Sequence, residues 1–166
     1  MPADAEKIGL APVARSDARL FILGSLPGDA SLAAQRYYAH PRNAFWRLIG
    51  LAIGEEIEAL AYEQRLERLM ANRIGLWDVV ERAVRRGSLD QAIRNPAHNR
   101  LADYFSGFHN LEAVAFNGSA AAVAGRKLLA TSGLTLVDLP SSSPANTTPF
   151  AKKAEAWAEL AHYCGG

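Results

Sequence analysis

The stretch YYAHPRNAFW, Tyr37 to Trp46, concentrates groups able to handle a flat, polar ligand. Phe45 and Trp46 open an apolar run and are expected in the core. Tyr37 and Tyr38 precede His-Pro in an expected loop, where a ring is free to face a pocket. Stacking an aromatic ring on a nucleobase contributes roughly 1–3 kcal/mol per base. Asn43 stands just before the apolar run, so two roles are open to it, helix N-cap or site amide. His40, ahead of Pro41, reads as a structural hydrogen-bonding residue.

Three further stretches carry unusual chemistry. GSLPG (residues 24–28) has the glycines and proline of a tight turn. Its functional alternative is a close backbone approach to a ligand, with the amides of Gly28 or Asp29 turned toward it. LPSSSPAN (residues 139–146) is either a polar turn or a stiff loop presenting hydroxyls to phosphate oxygens, the contacts that position DNA. FNGS (residues 116–119) ends a third apolar run. Neither Ser25 nor Ser141–Ser143 has flanking glycines of the nucleophile-elbow type, which argues against a serine hydrolase. Asp78 follows Trp77 at the end of an apolar element, a place for a surface acid or for reading a ligand's polar edge. Arg82, Arg85 and Arg86 form either a basic patch or a solvated helix face.

Stepping outward, the elements needed to hold these groups are legible. Leu20–Leu23, LEAVAF and LTLVDL read as short buried strands, each feeding one of the three loops. IGLWDVVERAV is ambiguous between strand and helix start. NAFWRLIGLAIG, AYEQRLERLMANR, NRLADYFSGF, AAAVAGRKLLATSG (stopped by Gly133) and TPFAKKAEAWAELAHYC read as helices. Strands alternating with helices predict an α/β fold with a mostly parallel sheet covered on both faces. Ligands of such sheets bind beyond the carboxyl ends of the strands. The three loops are therefore expected to converge on one crevice, overhung by YYAHPRN.

Bulk properties set the bounds. A chain of 166 residues, 49% hydrophobic and 21% charged, predicts one globular domain. Its formal net charge of +1 neither requires nor excludes nucleic acid. The single cysteine, Cys164, cannot form an internal disulfide or hold a cluster, and the four histidines lack metal-binding spacing. No metal or cofactor is expected. The N-terminus does not read as a signal peptide and no run is long enough to span a membrane, so a cytoplasmic protein is expected. Residues before about Ser16 are expected to be poorly ordered.

FILGSLPG, YYAHPRNAFWRLI, IGLWDVV, FNGSAA and LPSSSPAN, in that order, resemble the uracil-DNA glycosylase superfamily, and within it most closely the hypoxanthine-DNA (deoxyinosine) glycosylases. The resemblance implies a three-layer α/β/α sandwich that flips a deaminated base from DNA and hydrolyses its glycosidic bond without a metal, acting as a monomer on double- or single-stranded DNA. The mismatch-type thymine/uracil glycosylases are the next nearest, and a catalytically silent base-binding module is a further alternative. In the mismatch enzymes an Asn in the first loop holds the attacking water; here that position is Leu26. The resemblance to the hypoxanthine enzymes moves this role to Asn43. It makes Tyr38 the ring that stacks on the flipped base. It makes Trp77 and Asp78 readers of the base edge, with Asp78 accepting from N1–H of hypoxanthine. Ser25 and Asn117 join them around the base. The resemblance assigns Ser141, Ser142 and Ser143, with Pro144, Gly118 and Ser119, to DNA contacts. Ala145 and Asn146 fall at the wedge. The His that steadies a departing uracil is replaced by Leu139. A purine can leave with help from protonation at N7, so a weaker anion-stabilising site suffices.

Overall fold

The computed structural model describes residues 5–164. Residues 1–4, part of the segment expected to be poorly ordered, lie outside the described residues. A four-stranded parallel sheet is built from β2 (Leu20–Gly24), β3 (Ile74–Asp78), β6 (Ala113–Asn117) and β7 (Thr135–Leu139), in the order β3-β2-β6-β7. Side chains alternate across this sheet, as the strand pleat requires. Leu20, Ile22, Ile74, Leu76, Ala113 and Ala115 face one core; Phe21, Leu23, Val114 and Phe116 face the other.

The first core is covered by α2 (Phe45–Ile53), α3 (Tyr62–Ala71) and α6 (Phe150–Trp157), which contribute Phe45, Trp46, Leu48, Ile49, Leu69 and Trp157. The second is covered by α4 (Leu101–Phe105) and α5 (Ser119–Leu128). Gly125 lets α5 approach closely, because a Cβ there would sit 2.2 Å from the Phe116 ring. The expected three-layer arrangement is therefore present, and the ambiguous stretch at 74–78 is a strand. A short helix, α1 (Asp29–Ala34), follows the first loop and was not foreseen.

A second sheet was also not foreseen. β1 (Glu6–Ile8), β4 (Val80–Val84) and β5 (Arg94–His98) form an antiparallel sheet in the order β1-β4-β5. Glu6 pairs with Val84 and Ile8 with Arg82, and Val13 bridges Leu76. The segment ahead of Ser16 is thus tied down from Glu6 onward, contrary to the expectation of disorder. β4 follows β3 after a single residue, Val79, so the chain passes directly from one sheet to the other. Among the described residues no helix is long and apolar enough to cross a membrane.

Candidate active site

The loops after β2, β6 and β7 do converge. With the 37–43 segment and the 88–91 turn they enclose a cleft of about 1600 Å³ at the carboxyl end of the parallel sheet. Pockets for small ligands span roughly 300–1,000 Å³. The larger volume suits a segment of polymer with one group inserted.

The floor is made by three neighbours. Gly24 and Asp78 are side by side at the ends of β2 and β3. A Cβ on Gly24 would stand 2.7 Å from Asp78 Oδ1 and 3.2 Å from the Tyr38 hydroxyl. Glycine is required there so that both polar groups can approach. Asp78 is 3% exposed, and its Oδ2 and the Tyr38 hydroxyl are both buried without a hydrogen-bond partner. Burial pushes the Asp78 carboxyl up to about 7; the nearby Asp90 adds to this and the Arg85 guanidinium opposes it. Unpaired buried polar groups cost about 1–3 kcal/mol each, so their presence at a strand end marks a site awaiting a ligand.

Tyr38 is held in the left-handed region, at φ 54°, uncommon for a residue with a side chain. Its ring stacks on Phe45 at 4.0 Å and 16° between planes. Its carbonyl accepts from Trp46 Nε1 at 3.2 Å. The tyrosine is thus fixed from behind, with its hydroxyl over Gly24. Tyr37, also considered as a pocket residue, is 3% exposed and donates its hydroxyl to the carbonyl of Ala11 at 2.7 Å, so it belongs to the core. His40 accepts from the backbone N–H of Arg42 through Nδ1, the structural role expected of it.

Asn43 lines the cleft, and its Oδ1 accepts from the N–H of Phe45 at 3.0 Å, bracing the first turn of α2. Among the described residues no hydrogen bond engages its amide nitrogen. The N-cap position of α2 falls to Ala44, so Asn43 stands one residue ahead of it and its bond to Phe45 is a local turn contact, contrary to the capping expectation. That contact fixes the carboxamide, and the opposite end remains free in the cleft.

Other expected site residues fall differently. Trp77 does not line the cleft: strand alternation turns it to the opposite face, where its ring meets Tyr104 at 4.6 Å. Ser25 lines the cleft and donates to Asp90 Oδ1 at 2.5 Å. Asn117 lines the cleft, and its carboxamide is engaged by Ser142. Its Nδ2 donates to Ser142 Oγ at 2.9 Å, and its Oδ1 accepts from Ser142 N–H at 2.8 Å. Ser142 is consequently 1% exposed, which removes its hydroxyl from any phosphate, contrary to expectation. Its carbonyl accepts from the N–H of Ala44, locking the serine loop to the Asn43 turn. Ser141 and Ser143 instead accept backbone N–H groups, from Ser143 and Ala145, through their hydroxyl oxygens. Their O–H protons stay available as donors. Gly118, Ser119, Pro144, Ala145 and Asn146 all line the cleft. The amide of Asp29 does not point to a ligand, because it donates to Ser88 Oγ at 2.9 Å.

Leu26 is buried against Val80 and Ala83 beneath the antiparallel sheet. Leu139 is buried in the first core and reaches the cleft wall. Neither can orient water or stabilise an anion.

Two functional positions were missed. Arg85, read as part of a basic patch, is 0% exposed; it donates to the carbonyls of Leu26 at 3.2 Å, Pro27 at 2.6 Å and Gly87 at 2.7 Å. It is the clasp of the first loop. Lys153, on α6, is 4% exposed and donates to the carbonyls of Ser143 and Asn146 at 3.2 and 2.9 Å. Trp157 Nε1 donates to the Pro140 carbonyl at 3.0 Å. α6 therefore holds the serine loop at both ends. Nothing in the sequence separates these cations from surface ones.

Among the described residues no group of His, Cys, Asp or Glu is arranged to hold a metal ion. A model of the uracil DNA glycosylase superfamily matches residues 11–161. A hypoxanthine DNA glycosylase of Methanosarcina barkeri is 39% identical over 154 residues, covering 93% of this chain and 97% of that protein. One from Methanosarcina acetivorans is 42% identical over 149 residues, covering 90% and 93%. The solution NMR structure of a protein from Methanosarcina acetivorans superposes with a TM-score of 0.87 at 38% identity, covering 96% of this chain and 99% of that one. With a cleft built at the strand ends and a match over nearly its whole length, the chain belongs to the uracil DNA glycosylase superfamily.

Proposed function

We infer that this protein is a monofunctional DNA glycosylase that excises hypoxanthine from DNA by water attack at the sugar C1′. The observation that carries the reading is the buried, unpartnered Asp78 carboxyl beside Gly24, in a cleft where Leu139 replaces an anion-stabilising side chain. A base must leave the duplex to reach such a floor, at a cost of a few kcal/mol. Stacked on the free face of Tyr38, hypoxanthine would present N1–H to Asp78. A carboxylate there favours a purine departing protonated at N7 over a base departing as an anion. Uracil, which departs as an anion, is the poorer substrate of this floor. The relatives named as hypoxanthine DNA glycosylases support the same substrate.

Asn43 holds the nucleophilic water with the end of its carboxamide not fixed by Phe45. The water adds its oxygen to C1′, the glycosidic bond breaks, and the base departs with a proton. Phosphates flanking the flipped nucleotide meet the hydroxyls of Ser141 and Ser143 and the polypeptide at Gly118–Ser119 and Pro144–Asn146. The protein works as a monomer, since one cleft supplies every group named, and it accepts the base from double- or single-stranded DNA.

The test is excision from oligonucleotides bearing hypoxanthine, uracil or xanthine, read as strand cleavage after hot alkali. Hypoxanthine is expected to be cleaved fastest. Asn43→Ala is expected to lose about 10²–10⁴-fold, the usual weight of a positioned proton-transfer or water-orienting group. Asn43→Ser keeps a side-chain oxygen able to accept from the Phe45 N–H, so it should recover stability without recovering activity. Equal activity of Asn43→Ser and wild type would refute the water-holding role. Cleavage of uracil alone would transfer the protein to the mismatch-type enzymes. Binding without cleavage of any base would make it a base-binding module.

A further inference from the structure

The flipped base leaves a hole in the duplex that something must fill. Proteins that deform DNA commonly insert an apolar side chain between base steps. The serine loop is poorly equipped for this: its tip is Pro144 and Ala145, followed by polar residues. The 88–91 turn of the cleft is different. Leu89 lines the cleft and is 53% exposed, although it is a large hydrophobic residue. Covering the rest of this leucine would add part of the roughly 1.5–3 kcal/mol that full burial of such a side chain is worth.

The turn is anchored on both sides of that leucine. The Gly87 carbonyl accepts from Arg85 Nε and from Lys7 Nζ, both at 2.7 Å. Ser88 Oγ accepts from the Asp29 N–H at 2.9 Å, and Asp90 Oδ1 accepts from Ser25 at 2.5 Å. Leu89 itself is extended, at φ −82° and ψ 137°, and starts a short 3-10 turn, Asp90–Ala92. The backbone is tied down before and after it while its side chain is left in solvent. Asp90, bonded to Ser25 beside Gly24, ties the turn that carries Leu89 to the end of β2.

We propose that Leu89 is the wedge that enters the base stack when the nucleotide is flipped. This rests on the glycosylase reading given above. The occupant of the surface is duplex DNA because the surface is continuous with the cleft that takes the base. Val123, another exposed apolar residue of the cleft wall at 61%, lies within α5 and serves as the comparison.

The experiment measures single-turnover excision of hypoxanthine from a duplex and from the same strand alone, for wild type, Leu89→Ala, Leu89→Phe and Val123→Ala. A single strand has no stack to restore, so it reports the chemistry without the wedge. Leu89→Ala is expected to lose about 10- to 100-fold on duplex, in keeping with a flipping cost of a few kcal/mol, and less than about twofold on the single strand. Leu89→Phe should restore much of the duplex rate. 2-Aminopurine beside the lesion, which fluoresces when unstacked, should brighten with wild type and not with Leu89→Ala. Equal losses on both substrates, an unchanged duplex rate, or the same selective loss in Val123→Ala would overturn the wedge. A wild type inactive on hypoxanthine in both forms would overturn the glycosylase reading instead, and the fluorescence would still decide the role of Leu89.

Discussion

Asp78 shows how one side chain can be costly to the fold and central to the site. Its carboxyl titrates near 7 in the folded chain against 3.8 in an unperturbed one, with burial the main cause. The folded state therefore holds this proton to higher pH than the unfolded state. Stability falls as pH rises from about 4 to about 7; the penalty is absent below that window and complete above it. Three units of displacement correspond to about 4 kcal/mol, from which an unpaired asparagine amide at the same place would subtract about 1–3 kcal/mol. Asp78→Asn is thus expected to stabilise the protein by about 1–3 kcal/mol at pH 8 and not at pH 4, as measured by urea denaturation at both values. On the proposed role of Asp78, excision by the wild type is expected to rise with pH near 7 and excision by Asp78→Asn is expected to lack that rise, as read from rates between pH 5 and pH 8. Gly24→Ala should abolish hypoxanthine excision, since its methyl would occupy space 2.7 Å from the carboxyl. At this scale residue type and loop setting together located Tyr38, Asn43 and Asp78 at the cleft. The sequence misled at Trp77 because face depends on strand register, and one residue of register reverses it. It was silent on Arg85 and Lys153 because an arginine or lysine buried against carbonyls is spelled like one in water.

The catalytic end of the sheet is shaped less by the strands than by what restrains their loops. Asn117 at the end of β6 makes two hydrogen bonds to Ser142, Ala44 N–H binds the Ser142 carbonyl, and α6 contributes Lys153 and Trp157. Lys153→Met would leave the carbonyls of Ser143 and Asn146 without their buried donor, at about 1–3 kcal/mol for each group left unsatisfied. The expected readout is a several-fold higher KM for DNA with kcat nearly unchanged, because the serine loop meets the backbone and not the reacting bond. A matching fall in kcat would place the lysine closer to the chemistry. Three of the four parallel strands were legible as short apolar runs feeding loops of glycine, proline or serine; β3, which runs into Asp78 and β4, was ambiguous. The antiparallel sheet was not legible. β1 has three residues, and β5 reads Arg-Asn-Pro-Ala-His, largely exposed and without alternation. Such strands exist through pairing with β4, a long-range partner that local patterning does not register.

Taken whole, the molecule carries little excess charge, a formal +1 over 166 residues. Its cleft offers hydroxyls, backbone groups and Arg42 in place of a basic stripe. Lysines or arginines that neutralise phosphates set the salt dependence of DNA binding, with a slope of about −0.9 per phosphate on duplex. One or two such contacts predict that affinity for a hypoxanthine duplex falls by about tenfold or less between 50 and 200 mM salt. A loss of a thousandfold, read by fluorescence anisotropy, would mean that a basic surface outside the cleft dominates binding. The mostly parallel sheet and its covering layers were readable at this scale because strand and helix alternate along the chain, but the strand order was not; the charge total alone said nothing of where DNA would lie.

The walls of the cleft are fastened by opposite extremities of the polypeptide. Lys7 and β1 secure the turn that carries Leu89, while Lys153 and Trp157 secure the serine loop. β1 must wait for β4, whose register partner for Glu6 is Val84, and the serine loop must wait for α6. During synthesis β4 is made before β6 and β7, so the β1 fastening can form before the central sheet is complete, whereas the α6 fastening can form only after it. A chain lacking α6 would therefore keep its floor while its serine loop lost the Lys153 and Trp157 bonds that hold it.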